Sequence, residues 1–150
     1  MKQLSWKLIL PLTIISFFAV TKWWYVLVID GVDVLMSGFP LPYACPCFHT
    51  SVCSQIFVLN LIIDICCYFL FWFSLIFIFN RFIKPIKVPK GLTIVLISLS
   101  GLILSGMLFA GIFLDNVYKF ENDFDYEVID TGIEFWQTKK RPELNEYPYL

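Results

Sequence analysis

The chain has 150 residues, room for one small domain. It is 59% hydrophobic and 15% charged, against roughly half and a quarter in soluble domains, and the apolar residues stand in long blocks, which excludes an ordinary soluble core. The net charge of −1 hides a segregation: Arg81 to Lys90 carries four bases and no acid, nine of the twelve acids follow Phe113, and no basic tract interleaved with aromatics supports nucleic-acid binding.

Taken in chain order, Leu8 to Thr21 is a largely apolar stretch of 14 residues, close in length to a signal-peptide core. No small-x-small cleavage site follows, and the chain turns apolar again after Lys22-Trp23-Trp24-Tyr25. That tetrad has the character of an interfacial anchor, with indoles at headgroup depth and a lysine whose stem stays in lipid. Residues 8–28 are therefore expected to form a first transmembrane helix. The loop that follows, about Ile29 to Gln55, is uncharged apart from Asp30, Asp33 and His49 and contains the apolar, turn-rich Gly38-Phe39-Pro40-Leu41-Pro42-Tyr43. Such a loop is expected to pack on the bilayer, on its own helices or on a partner.

The second span, Ile56 to Phe79, has 24 residues of which only Asn60, Asp64 and Ser74 are strongly polar. A helix of that length rises about 36 Å, enough for a hydrocarbon core of roughly 30 Å. Arg81, Lys84, Lys87 and Lys90 follow, with Pro85 and Pro89 ending any helix. The third span, Leu92 to Leu114, has 23 residues and no charge, and Asp115 closes it. Lys2 and Lys7 precede the first span, so both basic ends belong in the cytoplasm. The expected fold is an all-α membrane protein of the bacterial inner membrane with three transmembrane helices. Its N-terminus is cytoplasmic, its Cys-containing loop lies outside, and residues 115–150 form an extracytoplasmic arm on the membrane domain 1–114.

Asn60, Asp64, Cys67, Phe71 and Ser74 recur at steps of four, three, four and three, one face of a helix. A polar stripe in lipid must face protein or water, because an unpaired polar group there costs several kcal/mol. Asp64 is the sharpest residue of the set. Its depth matches that of Lys22, so a structural Lys22–Asp64 pair is preferred; protonation and ion coupling are the alternatives.

In the loop, Cys45, Cys47, His49 and Cys53 offer three thiols and an imidazole within nine residues, a set that suits zinc or copper. The spacing is not that of a zinc knuckle, and a disulfide such as Cys47–Cys53, or free thiols, is preferred. Cys66 and Cys67 read as small hydrophobes within a span.

In the third span, Gly101-x3-Ser105 and Gly106-x3-Ala110 form a surface that lets another helix approach closely. The acidic tail holds Phe120, Phe124, Tyr126, Phe135, Trp136, Tyr147 and Tyr149, too many aromatics for a solvating tail. Tyr126 to Trp136 partly alternates, as a strand would around Gly132, and Phe124, Tyr126, Phe135 and Trp136 are expected to form a docking arm.

There is one histidine and no hydrolase, phosphate-loop or carboxylate–His constellation, so no catalytic residue and no cofactor is assigned. Cys-Pro-Cys resembles the motif of copper-pumping ATPases, and the vicinal cysteines resemble those of mercury-uptake membrane proteins, but in both families the thiols stand in other segments, and neither implies a function here. Lys22-Trp23-Trp24-Tyr25, Gly38-Phe39-Pro40, His49-Thr50-Ser51 and Phe71-Trp72-Phe73 together resemble small uncharacterised bacterial integral membrane proteins over the first two spans, a group with no activity to transfer. The expected function is a non-enzymatic accessory or scaffold subunit whose partners are the bilayer and other membrane-protein subunits. A thiol-based redox or metal-handling protein and a small ion or solute carrier using Asp64 are the alternatives.

Overall fold

A run of β-branched and aromatic residues, Val20-Thr21-Lys22-Trp23-Trp24-Tyr25-Val26-Leu27-Val28, follows Ala19, and there the chain leaves the helix. In the computed structural model, which describes residues 5–29, 33–47, 53–83, 88–113, 115–122 and 124–135, a π-helical turn (Ser5–Ile9) and α1 (Leu10–Ala19) run directly into β1 (Val20–Val28). The turn and helix, five and ten residues long, rise about 22 Å, short of the hydrocarbon thickness. Side chains with two heavy substituents on Cβ, or with large rings, fit a pleated sheet better than the next helical turn.

This overturns the all-α reading. The chain combines three helices with a mixed six-stranded sheet, and residues 8–28 are not a transmembrane helix. Two helices are long and apolar enough to cross a membrane: α2 (Val58–Ile78), extended by a π-helical turn (Phe79–Ile83), and α3 (Lys90–Phe113). Among the described residues most apolar side chains of both are exposed, with Ile112, Phe82 and Leu102 at 77%, 76% and 70%.

The expected outer loop supplies β2 (Val34–Ser37), β3 (Ala44–Pro46) and β4 (Ser54–Phe57). The expected arm supplies β5 (Asn116–Lys119) and β6 (Tyr126–Phe135). The order is β5-β4-β3-β2-β1-β6. Neighbours are antiparallel except β4 and β5, which are parallel because the α2–α3 hairpin is the crossover between them. β6 pairs with β1 from Val20↔Phe135 to Val28↔Tyr126, with a bulge that leaves Ile129 unpaired, so the C-terminal segment is built into the sheet.

Alternation sets the core. Val26 and Val28 of β1, Val34 and Met36 of β2, Cys45 of β3 and Phe57 of β4 form one buried cluster, flanked by Trp24, Phe124 and Tyr126. The helices meet the sheet mainly at the points where helix passes into strand. Val26, Met36 and Phe57 are fully buried, and Phe124 packs on the same cluster, its ring 6.0 Å from Phe57 and 6.1 Å from Tyr126.

α1 and α2 pack antiparallel. Trp72 Nε1 donates to Ser16 Oγ (2.9 Å) and the Tyr68 hydroxyl to the Val20 carbonyl (2.6 Å), so a step of four along one helix is matched by a step of four back along the other. The Thr13 hydroxyl donates to the Ile9 carbonyl of the π-helical turn and the Ser16 hydroxyl to the Leu12 carbonyl of α1.

Gly132 faces Trp23 across the β1–β6 pair, and a Cβ there would lie 2.5 Å from the indole, whereas one at Gly101 would meet nothing within 4 Å. Gly132→Ala is expected to displace the Trp23 ring, shift its fluorescence and cost about 1–3 kcal/mol. Gly101→Ala should leave stability unchanged or raise it by up to ~1 kcal/mol, since it fills open space on a helix. Denaturant titration in detergent, followed by tryptophan emission, compares the two.

Candidate functional site

Asp64 is the best-defined polar centre of the molecule. It sits on α2, is fully buried, and faces the turn between β2 and β3. Its Oδ2 accepts the Phe39 amide at 2.7 Å and its Oδ1 the Leu41 amide at 3.0 Å. The turn is shaped to offer these two donors. Gly38 has φ +152°, and a Cβ there would run into the Leu41 carbonyl; the Phe39–Pro40 peptide is cis. Pro40 and Pro42 have no N–H, so the donors from 38 to 42 are three. Gly38 N donates to Lys22 O (2.9 Å), and the other two go to Asp64. Two of the turn's carbonyls are bonded by side chains, Pro42 O by Asn60 Nδ2 (2.7 Å) and Gly38 O by Trp24 Nε1 (2.8 Å). Phe17 joins the rings around the site, stacked on Tyr43 and edge-on to Tyr68, and Phe39 meets Tyr68 edge-on.

The Lys22–Asp64 pair expected from depth is not formed. Strand geometry places the Lys22 ammonium 3.6 Å from the centre of the Trp24 ring, a cation–π contact, and backbone amides take the role a lysine was expected to play. The polar stripe on α2 also departs from the sequence reading beyond Asp64. The inward face continues in steps of four through Tyr68, Trp72 and buried Ile76. Cys67, Phe71 and Ser74 instead line an open, apolar groove with Leu70, Leu75 and Ile78. A signal for this was present: Tyr68 and Trp72 are aromatics with a hydrogen-bonding handle, and they extend the four-residue step of Asn60 and Asp64.

The cysteines separate by strand. Cys47 and Cys53 form a disulfide across a Cα–Cα distance of 5.3 Å, beside a hydrogen bond from Cys47 N to Cys53 O. It takes two of the three sulfurs weighed as metal ligands, and Cys45 is buried in the sheet core. His49 lies outside the described residues. Among the described residues no three His, Cys, Asp or Glu side chains come together as a metal site.

Elsewhere, Gly101, Ser105 and Gly106 lie exposed on α3, and Ala110 is half-buried. α3 packs on α1 instead, and Ser100 is its buried residue. Phe124 and Tyr126 pack on the core of their own chain, Phe135 ends β6, and Trp136 lies outside the described residues.

Chemically, the Asp64 cluster is a closed hydrogen-bond network: the carboxylate is fully buried and both its oxygens are engaged. It is built to hold two segments together. No protein-family model, curated protein or solved structure matches this chain.

Asp64→Ala removes the acceptor of two partly buried amides and is expected to destabilise the fold by on the order of 2 kcal/mol. Lys22→Met should act independently, so the double variant's loss should equal the sum of the singles in chemical denaturation; a rescue of Asp64→Ala by Lys22→Met would restore the ion pair. Burial, and secondarily the Asp64 charge, push the Tyr43 hydroxyl up to about 12 from its ordinary value of 10.0. The fold therefore favours neutral Tyr43. That contribution is complete below pH 10 and is lost as pH rises towards 12, so a Tyr43→Phe protein should show a shallower alkaline loss of stability over that window.

Proposed function

We propose that this chain is an integral membrane protein whose long helices anchor a disulfide-bearing sheet on the extracytoplasmic face of a bacterial inner membrane, and that it serves there as a non-enzymatic accessory or scaffold subunit. The observation that carries this reading is the uncovered surface of α3: a Cβ added at Gly101 or Gly106 would meet nothing, so the face best suited to close helix packing is left open by its own chain.

Several features support the membrane placement. Seventeen residues separate Arg81 from Asp64, a rise of about 25 Å along the helix, which approaches one hydrocarbon thickness. At the Asp64 level stand Lys22 and Trp24, joined to the same turn, as an interfacial belt. Asp64 then lies near the interface, facing the sheet. The basic segment at the opposite end belongs in the cytoplasm, and a disulfide belongs in an oxidising compartment. These two independent criteria give the same orientation. The alternatives draw less support, because both oxygens of the Asp64 carboxylate are already engaged by amides and, of the loop cysteines, Cys47 and Cys53 are joined in a disulfide and Cys45 is buried.

Orientation is checked with single cysteines at positions 90 and 127, in a variant whose cysteines outside the disulfide, Cys45, Cys66 and Cys67, are replaced by alanine. A membrane-impermeant maleimide should label position 127 in intact cells and spare position 90; the reverse pattern defeats the placement. The subunit role is tested by gentle solubilisation and light scattering. The native chain should run with a partner membrane protein in fixed stoichiometry, and Gly101→Ile with Gly106→Ile should release it while leaving the fold intact. A native chain that runs as a bare monomer overturns the accessory reading.

A further inference from the structure

We infer that the end of the helical layer opposite the sheet is a binding surface for the headgroups of anionic glycerophospholipids, formed by Lys7, Arg81 and Lys90. The inference rests on the membrane placement proposed above. The stagger set by Ser16–Trp72 and Val20–Tyr68 extends directly: two further steps of four back along α1 and its π-helical turn, from residue 16, reach the level of residue 80 on α2, and Lys7 falls level with Arg81. The π-helical turn that carries Lys7 packs against both long helices, and Lys90 opens α3. Three bases from three different helical segments therefore gather at one end, and all three side chains are exposed.

The sequence offers these bases no nearby counter-charge. No Asp or Glu occurs in residues 1–29 or 65–114, the stretches of sequence that include the helical segments carrying these bases. Eleven of the twelve acids lie in the sheet, its loops or the segment after it, and the twelfth, Asp64, is closed by amides about 25 Å away. A compact basic cluster with no internal acid, at the level where a membrane-spanning helix pair leaves the hydrocarbon, meets the phosphate plane of the leaflet. Exposed apolar side chains flank it, Phe82 at 76% and Ile83 at 67%, so the acyl chains and the headgroup of one lipid find matching surfaces together. A zwitterionic headgroup supplies no net charge to these bases; phosphatidylglycerol-type and cardiolipin-type headgroups do.

The experiment uses the full chain reconstituted into phosphatidylcholine vesicles and into equimolar phosphatidylcholine–phosphatidylglycerol vesicles, with the lipid retained after extraction counted by native mass spectrometry. The expected result is retention of phosphatidylglycerol above its bulk share. Each of Lys7→Gln, Arg81→Gln and Lys90→Gln should lower that preference by up to about fivefold, and the triple variant should abolish it without changing thermal stability in pure phosphatidylcholine. Added inorganic phosphate should leave the preference in place; competition by phosphate would make this a free-anion site and overturn the lipid assignment. Equal retention of both lipids, or a preference that the triple variant keeps, also overturns it while the membrane placement stands. A chain that enters neither vesicle overturns the placement itself, and this inference with it.

Discussion

A carboxylate removed from water needs donors, and a turn with two prolines has few to give. In this protein those two demands are met by each other. Asp64 takes the Phe39 and Leu41 amides, which leaves the Gly38–Pro42 turn with no unused N–H and the carboxylate with both oxygens occupied. The turn belongs to the sheet and the carboxylate to α2, so the pair of hydrogen bonds is also the joint between the two layers. Asn60 of the same helix adds a third bond, to the Pro42 carbonyl, while Trp24 of β1 holds the Gly38 carbonyl from the sheet side.

That joint explains why a helical layer with so little buried surface holds a sheet in a fixed place. α2 and α3 expose most of their apolar side chains, and the core cluster is drawn from the strands and Phe124. The layers share the chain at α1–β1, β4–α2 and α3–β5, and each junction has its own fastening. Tyr68 holds the Val20 carbonyl at the first, and the Asp64 cluster stands just inside the second. At the third, Asn116 reaches the Ala110 and Gly111 carbonyls at the end of α3.

Much of the helical layer was legible in the sequence. The second and third spans were found within a few residues of α2 and α3, because long uncharged apolar runs leave no alternative element. Asp64 and Asn60 stood out for the same reason, as polar residues in an apolar run, and Gly132 marked the strand that became β6. The partner assigned to Asp64 was wrong because depth along two helices was used where one of the two segments is a strand. Backbone amides are also invisible in a list of side chains, so a carboxylate satisfied by a turn resembles one that awaits a lysine. Apart from β6 the sheet is not legible in the sequence, because its strands are short, between three and ten residues, and five of the six fall in what reads as one loop and one tail. Pairing between β1 and β6 joins residues about a hundred positions apart, from Val28↔Tyr126 to Val20↔Phe135, which no local pattern records.

The sequence by itself determined that two stretches are long and apolar enough to cross a bilayer and that positive charge gathers at one end of them. Those properties are sums over contiguous residues, and contiguity is what a sequence shows. Only the tertiary structure decided that Val20–Val28 is a strand, that Phe124 and Tyr126 pack inward on their own chain, and that Asp64 closes a turn. Each of these depends on which distant backbone groups arrive opposite one another, and hydrogen-bond geometry in three dimensions settles that.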